Sequence, residues 1–254
     1  MRRQVLSSIA MFVALTVLLG LLYPLAVFAI GQIGFQKQAD GSLIKVNGQV
    51  VGSKLIAEDF TSSKYFQPRP SKAGVGYDGN GYDATASAAS NQGPSNANLI
   101  GNVPGVNIDG SKNPYATPTD PRCVPVPATD KDGNDVTDKD GNPVYEKNKD
   151  GTYVCNPNTV PQRVLAYRAA NNLAPTVKVP VDAVTASFSG LDPDISVANA
   201  RLQAPRVARA RHVTLDHVLA LVSKNTDGRG LGFMGEPGVN VLELNLALDG
   251  RSVR

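Results

Sequence analysis

The histidines, cysteines and glycine-rich turns of this chain are the natural places to look for chemistry. His212 and His217 are the only histidines. At i, i+5 they stand roughly 140° apart on a helix, so they do not share a metal as an i, i+4 pair would. No histidine-dependent triad is in sight, and nothing around Cys123 or Cys155 activates a thiolate. Gly74-x-Gly76-x-x-Gly79 matches the letters of a dinucleotide loop, but it follows Pro-Arg-Pro-Ser rather than a strand, so it reads as a turn. No phosphate-binding Gly-x-x-x-x-Gly-Lys-Ser/Thr run is present. Ser42-x-x-Lys45 has the serine–lysine spacing of penicillin-interacting enzymes, without the companion motifs; it leaves an exported hydrolase as the least favoured reading. Asp130-Lys-Asp-Gly-Asn-Asp135 and Asp138-Lys-Asp-Gly-Asn142 begin like calcium loops, yet their twelfth positions are Gly141 and Lys149 instead of a bidentate carboxylate. With seven acids and four bases, residues 130–150 read as a solvated acidic surface. These residues assign no catalytic group and no metal site.

The elements that would position any site begin with an anchor. Arg2-Arg3 precede residues 4–36, which contain no charge, and Val5 to Ile30 is dominated by aliphatic side chains. About 20 apolar residues span a bilayer as a helix, so a membrane span is expected in residues 1–36. A cleaved signal has a shorter apolar region, and Ala26-Val-Phe-Ala29 is a poor cleavage box. Gly20 and Pro24 are compatible with a span. The positive-inside rule puts the N-terminus in the cytoplasm and residues 37–254 outside, a single-pass inner-membrane arrangement.

The remainder, just over 200 residues with aromatic content of 6% and no Trp, suits one mixed α/β domain. A net charge of +3 gives no case for nucleic acid. Leu43 to Val51 predicts a hairpin around Asn47-Gly48. Tyr65 to Asn98 is turn-rich and suits a binding loop. Residues 102–159, with Lys-Asp-Gly triplets at Lys131, Lys139 and Lys149, read as an insertion forming a small meander or an excursion. Cys123 and Cys155 would close 33 residues if bridged, worth roughly 3.7 kcal/mol by loop entropy; the pair can equally stay free.

Beyond it, a helix is expected over 161–172 and a strand over 177–187, with Pro180 marking its start or an edge. Helices capped by Ser196 and Thr214 follow, the first split in two by Pro205. In the second, Leu215, Val218, Leu219 and Val222 form a buried stripe. Residues 239–248 alternate like a strand, but Asn240-x-x-Glu243 resembles a capping box, so a helix is favoured. Arg201, Arg206, Arg209 and Arg211 make one helical region basic. Arginine suits interface ion pairs, so Arg206, Arg209 and Arg211 are candidate partner-docking residues. Taken alone, the residues describe a membrane-anchored accessory or binding domain.

Several segments in order also resemble a known family, the C chain of the bacterial high-affinity potassium-transporting P-type ATPase. They are Tyr65-Phe-Gln-Pro-Arg-Pro-Ser71, Ala86-Ser-Ala-Ala-Ser-Asn91 with Ser95-Asn96, Val179 to Ser187 with Ser189-Gly-Leu-Asp192, Arg206-Val-Ala-Arg-Ala-Arg211, and Val239 to Asp249. The resemblance covers residues 5–249 apart from the insertion. It implies a non-catalytic subunit that assembles and stabilises the pump beside three partners: a channel-like potassium-binding chain, a P-type ATPase chain and a small single-span peptide. The Asp-Lys-Thr-Gly-Thr phosphorylation motif of the ATPase chain does not occur here. The family is also described as a catalytic chaperone raising the nucleotide affinity of the ATPase chain, through a Ser-Gly-Gly-Ser-Asn segment. Its counterpart is Ser87-Ala88-Ala89-Ser90-Asn91, making Ser87, Ser90 and Asn91 the candidate nucleotide residues; alanine replaces both glycines and disfavours close backbone approach. ATP and potassium are therefore expected at the level of the complex. The alternative is a membrane-tethered exported ligand-binding module unrelated to the pump.

Overall fold

The computed structural model describes residues 2–74, 82–93, 125–154 (except 132, 133, 140, 142, 150 and 152) and 159–251. Two compact units, residues 1–55 and 56–251, are taken separately.

In the first unit the apolar segment is one helix, α1 (Arg2–Gly34), 33 residues long and with none of its apolar window buried. At 1.5 Å per residue it measures about 50 Å, more than the roughly 30 Å hydrocarbon core. Leu18–Leu22 widen into a π-turn, closed by the Tyr23 N–H donating to the Leu18 carbonyl. Pro24 explains the widening: it has no N–H for the Gly20 carbonyl and its ring crowds that carbonyl, so the helix opens by one residue instead of breaking. A short turn of helix, α2 (Gln36–Ala39), leads to β1 (Leu43–Val46) and β2 (Gln49–Ser53), an antiparallel pair with an irregularity at Ile44/Lys45. Asn47 (φ 53°) and Gly48 (φ 81°) form the turn, both left-handed as the predicted Asn-Gly turn requires. Ser42 is a buried residue of that hairpin's entry, and its carbonyl accepts from the Lys54 N–H at 3.0 Å.

The second unit joins helices α3 (Val160–Asn171), α4 (Val197–Arg211), α5 (Leu215–Lys224) and α6 (Val241–Leu248) to a small antiparallel sheet. Strands β3 (Asp194–Ser196), β4 (Thr226–Asp227) and β5 (Gly238–Asn240) lie in the order β3-β5-β4. Each of the two longer strands runs directly into a helix, and the junction residue is the cap. Ser196, Thr214 and Asn240 each accept the N–H three residues on, from Asn199, His217 and Glu243. Thr159 caps α3 in the same way. The favoured helix for the C-terminal leucine run is therefore α6, with Leu242, Leu244 and Leu246 buried around it. The core gathers Phe66, Ile195, Ala204, Val207, Val218, Val222, Val239 and Leu244.

Three expectations need correction. Residues 177–187 form no strand: Val181–Ala183 make a single 3-10 turn. Its function is to aim Asp182, whose carboxylate accepts from the Ser196 N–H (2.8 Å), the Ser196 hydroxyl (2.8 Å) and the Asn199 amide (2.9 Å) at the start of α4. A carboxylate at a helix N-terminus is favoured by the unpaired N–H groups and the dipole. The α4 helix is continuous through Pro205. An interior proline costs about 3 kcal/mol; Ala204, Val207 and Ala208, all buried on the inner face, hold the helix together across it. Pro205→Ala is accordingly expected to raise stability by about 1–2 kcal/mol, because a donor returns to the Arg201 carbonyl. A thermal midpoint that does not rise would refute this. In α5 the stripe is narrower than predicted: Val218 and Val222 are buried, Leu219 is half-buried, and Leu215 is exposed.

Within 125–154, Ala128, Val136 and Val144 donate around a closed triangle of hydrogen bonds of 2.8–2.9 Å. Val126, Glu146 and Val154 repeat that triangle one step on. Gly141 and Gly151 turn the chain between rungs with φ 82° and 83°. Asp130 uses its carboxylate to close its own turn, accepting the Asn134 N–H at 2.9 Å. Cys123 and Cys155 lie outside the described residues, as do Gly76, Gly79, Ser95 and Asn96.

Candidate functional site

The run Tyr65 to Ser71 threads between α4 and α6, and side-chain amides take the place of neighbouring strands. Asn245 on α6 accepts the Phe66 N–H (2.8 Å) and donates to the Phe66 carbonyl (2.9 Å). Gln203 on α4 does the same for Gln67, at 2.8 and 3.0 Å. Two adjacent residues are thus held from opposite sides, each by a reciprocal pair of hydrogen bonds.

Arg206 completes this clamp. Its guanidinium donates to Asn171 Oδ1 (2.9 Å), the Ser63 carbonyl (2.6 Å), the Tyr65 carbonyl (3.0 Å) and Gln203 Oε1 (2.7 Å). The residue is only 7% exposed. Burial lowers its pKa from the ordinary arginine value, yet arginine keeps its charge at any pH of interest. Gln203 also donates to Asn199 Oδ1 (2.9 Å), which in turn accepts from the Tyr167 hydroxyl (2.7 Å). Burial, then the nearby Asp182 carboxylate, push the Tyr167 hydroxyl far above its usual pKa, so it stays a donor.

At the far end, Arg211 holds Lys64 to the end of α6. It donates to the Lys64 carbonyl (2.7 Å), the Leu248 carbonyl (3.0 Å) and Asp249 (2.7 Å), and stacks over the Tyr65 ring at 4.8 Å. Arg206 spends its donors on partners within its own unit, and Arg211 is half-buried by these contacts. Arg209 is exposed, as are Arg201, His212 and His217. His212 (φ 57°) ends α4 in the left-handed conformation.

The Ser87–Asn91 segment lies against the loop 187–192. Ser87 donates its hydroxyl to the Ser189 carbonyl (2.9 Å), and the Ala88 N–H donates to the same oxygen (3.0 Å). Ser90 is half-buried, and Asn91 is exposed with φ 53°. Gly190 (φ 73°) makes the approach possible: a Cβ there would stand 2.6 Å from the Ala88 carbonyl and 2.9 Å from the Ala73 N–H. Both neighbours are backbone, so Gly190→Ala should cost about 2 kcal/mol from strain and overlap and loosen residues 86–91. Faster amide exchange at Ala88, with the helices unchanged, is the expected readout. Ser71 joins the same loop, donating to the Gly190 carbonyl (2.5 Å) and accepting the Tyr82 N–H (3.0 Å). Arg69 pairs with Asp192 at 2.8 Å.

Beside the clamp is a cleft of about 310 Å³, lined among others by Asp59, Phe60, Tyr82, Arg163 and Tyr167. Burial raises the Asp59 pKa above the ordinary aspartate value and pushes the Tyr82 hydroxyl well up. The polar lining of the cleft is largely engaged already: the Tyr167 hydroxyl donates to Asn199, the Tyr82 hydroxyl to the Arg69 carbonyl and the Arg163 guanidinium to the Val184 carbonyl.

Gln203, Asn245, Asn171, Asn199 and Asp182 are absent from the sequence-derived candidates. One signal points to two of them. Asn245 interrupts an otherwise apolar face of Val241 to Leu248, and Gln203 falls within the stripe Ala200, Ala204, Val207. A polar amide on a core-facing stripe needs buried partners.

The chain matches the sequence pattern of the family described as K+-transporting ATPase, c chain, over residues 5–129 and 147–250. It is similar to the potassium-transporting ATPase KdpC subunit of Mycobacterium tuberculosis (strain ATCC 25618 / H37Rv), 43% identical over 98% of this chain and 99% of the relative. The subunits of the same description from Kineococcus radiotolerans and Rhodospirillum rubrum are each 40% identical, over 97% and 99% of this chain and 93% and 97% of the relatives. With its apolar N-terminal helix, its mixed helix and sheet domain and this near full-length similarity, the chain belongs to the KdpC family, the C chains of K+-transporting ATPases.

Proposed function

We propose that this subunit is the non-catalytic, single-span member of the pump, assembling and stabilising it from the outer side of the membrane. Its N-terminus is cytoplasmic and residues 37–254 lie outside. Its span packs on the channel-like potassium-binding chain, and its domain covers the outer mouth of that chain beside the ATPase chain and the small single-span peptide.

The observation that best supports a scaffold role is the use made of the residues that carry the resemblance. Phe66 is held by Asn245, Gln67 by Gln203, Arg69 by Asp192, Ser71 by the Gly190 carbonyl and Arg206 by the Ser63 carbonyl, all within the same unit. Exposed Arg209 then remains the arginine of its cluster best placed for a partner. A nucleotide effect on the ATPase chain would be transmitted through the complex, by stabilising one of its states. That reading is supported by Ser87 and Ala88, whose hydroxyl and N–H both serve the Ser189 carbonyl. The cleft beside Tyr82 and Tyr167 favours a second reading, a tethered ligand-binding module, since its volume sits at the low end for small-molecule pockets.

Gentle solubilisation of the tagged chain separates the two. The pump reading expects P-type ATPase subunits and potassium-stimulated ATP hydrolysis to co-purify with it. Isolation of the chain alone from cells expressing every subunit would count against that reading. Titration of the purified chain with ATP is expected to show no saturable binding.

A further inference from the structure

The connection between β4 and β5 is a small hairpin that carries its largest apolar side chains on the outside. Gly230 and Met234 exchange two backbone hydrogen bonds of 2.8 Å, and Arg229 pairs with Glu236 at 2.8 Å below them. Leu231, Phe233 and Met234 are 84%, 72% and 55% exposed. The backbone enforces this display. Leu231 has φ 51°, in the left-handed region that a bulky residue avoids, and Gly232 and Gly235 follow at 82° and 77°. A Cβ added at Gly232 or Gly235 would meet nothing within 4 Å, so the tip stands clear of the rest of its unit.

Three large apolar groups held in water need an occupant for the surface they present. The shape is convex and narrow. A protein partner would need a matching socket, whereas fluid acyl chains conform to any protrusion. Residues 230–235 contain no charge, and the flanking Arg229 and Glu236 neutralise one another, so entry desolvates no unpaired ion. The same chain carries α1, which keeps a bilayer at high effective concentration around the domain.

We propose that the Leu231–Phe233–Met234 tip dips into the interfacial layer of the bilayer, giving the domain a lipid contact separate from its anchor. This rests on reading α1 as a span.

The chain has no Trp, so single tryptophans report without background. Full-length F233W and, separately, V13W are reconstituted into phosphatidylcholine vesicles, and emission is challenged with brominated acyl chains or aqueous iodide. The proposal expects F233W to be blue-shifted, to lose most of its emission to brominated lipid, and to resist iodide. F233W quenched by iodide and spared by brominated lipid overturns it, as does protection from both quenchers. V13W reports on the anchor independently: its failure to respond to brominated lipid would count against the span while F233W still decides the tip. In the assembled pump, a photoactivatable phenylalanine analogue at position 233 should form adducts with lipid; an adduct with another subunit would replace the bilayer by a protein partner.

Discussion

Arg206→Met is expected to destabilise the second unit by about 3–5 kcal/mol, because removing a buried donor set leaves buried acceptors short of a partner. Buried Asn171 Oδ1 and the Tyr65 carbonyl would lose a donor, Gln203 Oε1 would keep only the Gln67 N–H, and the Ser63 carbonyl at the edge would lose its donor to water. The thioether fills the volume and supplies no hydrogen. For a unit of this size the loss corresponds to roughly 10 °C in thermal midpoint. The purified chain unfolded thermally in detergent, followed by its tyrosine near-UV signal, reads this out. Arg206→Lys should recover only part of the loss, since a single ammonium does not reproduce a fork that spans four acceptors. A midpoint for Arg206→Met within a few degrees of the parent would mean that the clamp does not hold the core. A surface docking role predicts the opposite pattern, with unchanged stability and weakened assembly.

Phe66→Ala should be comparably severe, at about 3–5 kcal/mol, for a different reason. The ring is fully buried in the core cluster with Ile195, Ala204, Val207, Val218 and Leu244. Its backbone is held on both sides of the peptide by Asn245, so it resists moving to fill the cavity. Phe66→Leu keeps most of the volume and is expected to cost less than half as much. Equal losses for Leu and Ala would show that the aromatic shape, not buried volume, decides the site. Testing Phe66→Ala together with Asn245→Leu in a double-mutant cycle measures their coupling, which should be non-additive because the residues touch.

Those two variants also mark where sequence reading stops. The anchor is legible because a span is defined by composition over consecutive residues, and nothing outside residues 2–34 is needed to form it. The Asn47-Gly48 turn and the caps at Ser196, Thr214 and Asn240 are legible because each is made within three or four residues. Pro205 and the 177–187 run mislead for a shared reason: local preference is weak against burial and against a distant partner. At Pro205 the buried inner face outweighs one missing hydrogen bond, and at Asp182 the capping of a helix 14 residues away outweighs the β-branched run.

By itself the sequence determines a single apolar helix, a hairpin after it, a mixed α/β domain and membership of a family whose motifs lie in order along the chain. Only the tertiary structure decides that Arg206 faces inward while Arg209 faces water. It alone pairs Asn245 with Phe66 and Gln203 with Gln67, across separations of 179 and 136 residues. Helical periodicity states which side of α4 is buried, but not which distant carbonyls arrive there. Those partners are set when the helices pack, because only then are the buried donors and acceptors removed from water and obliged to satisfy one another.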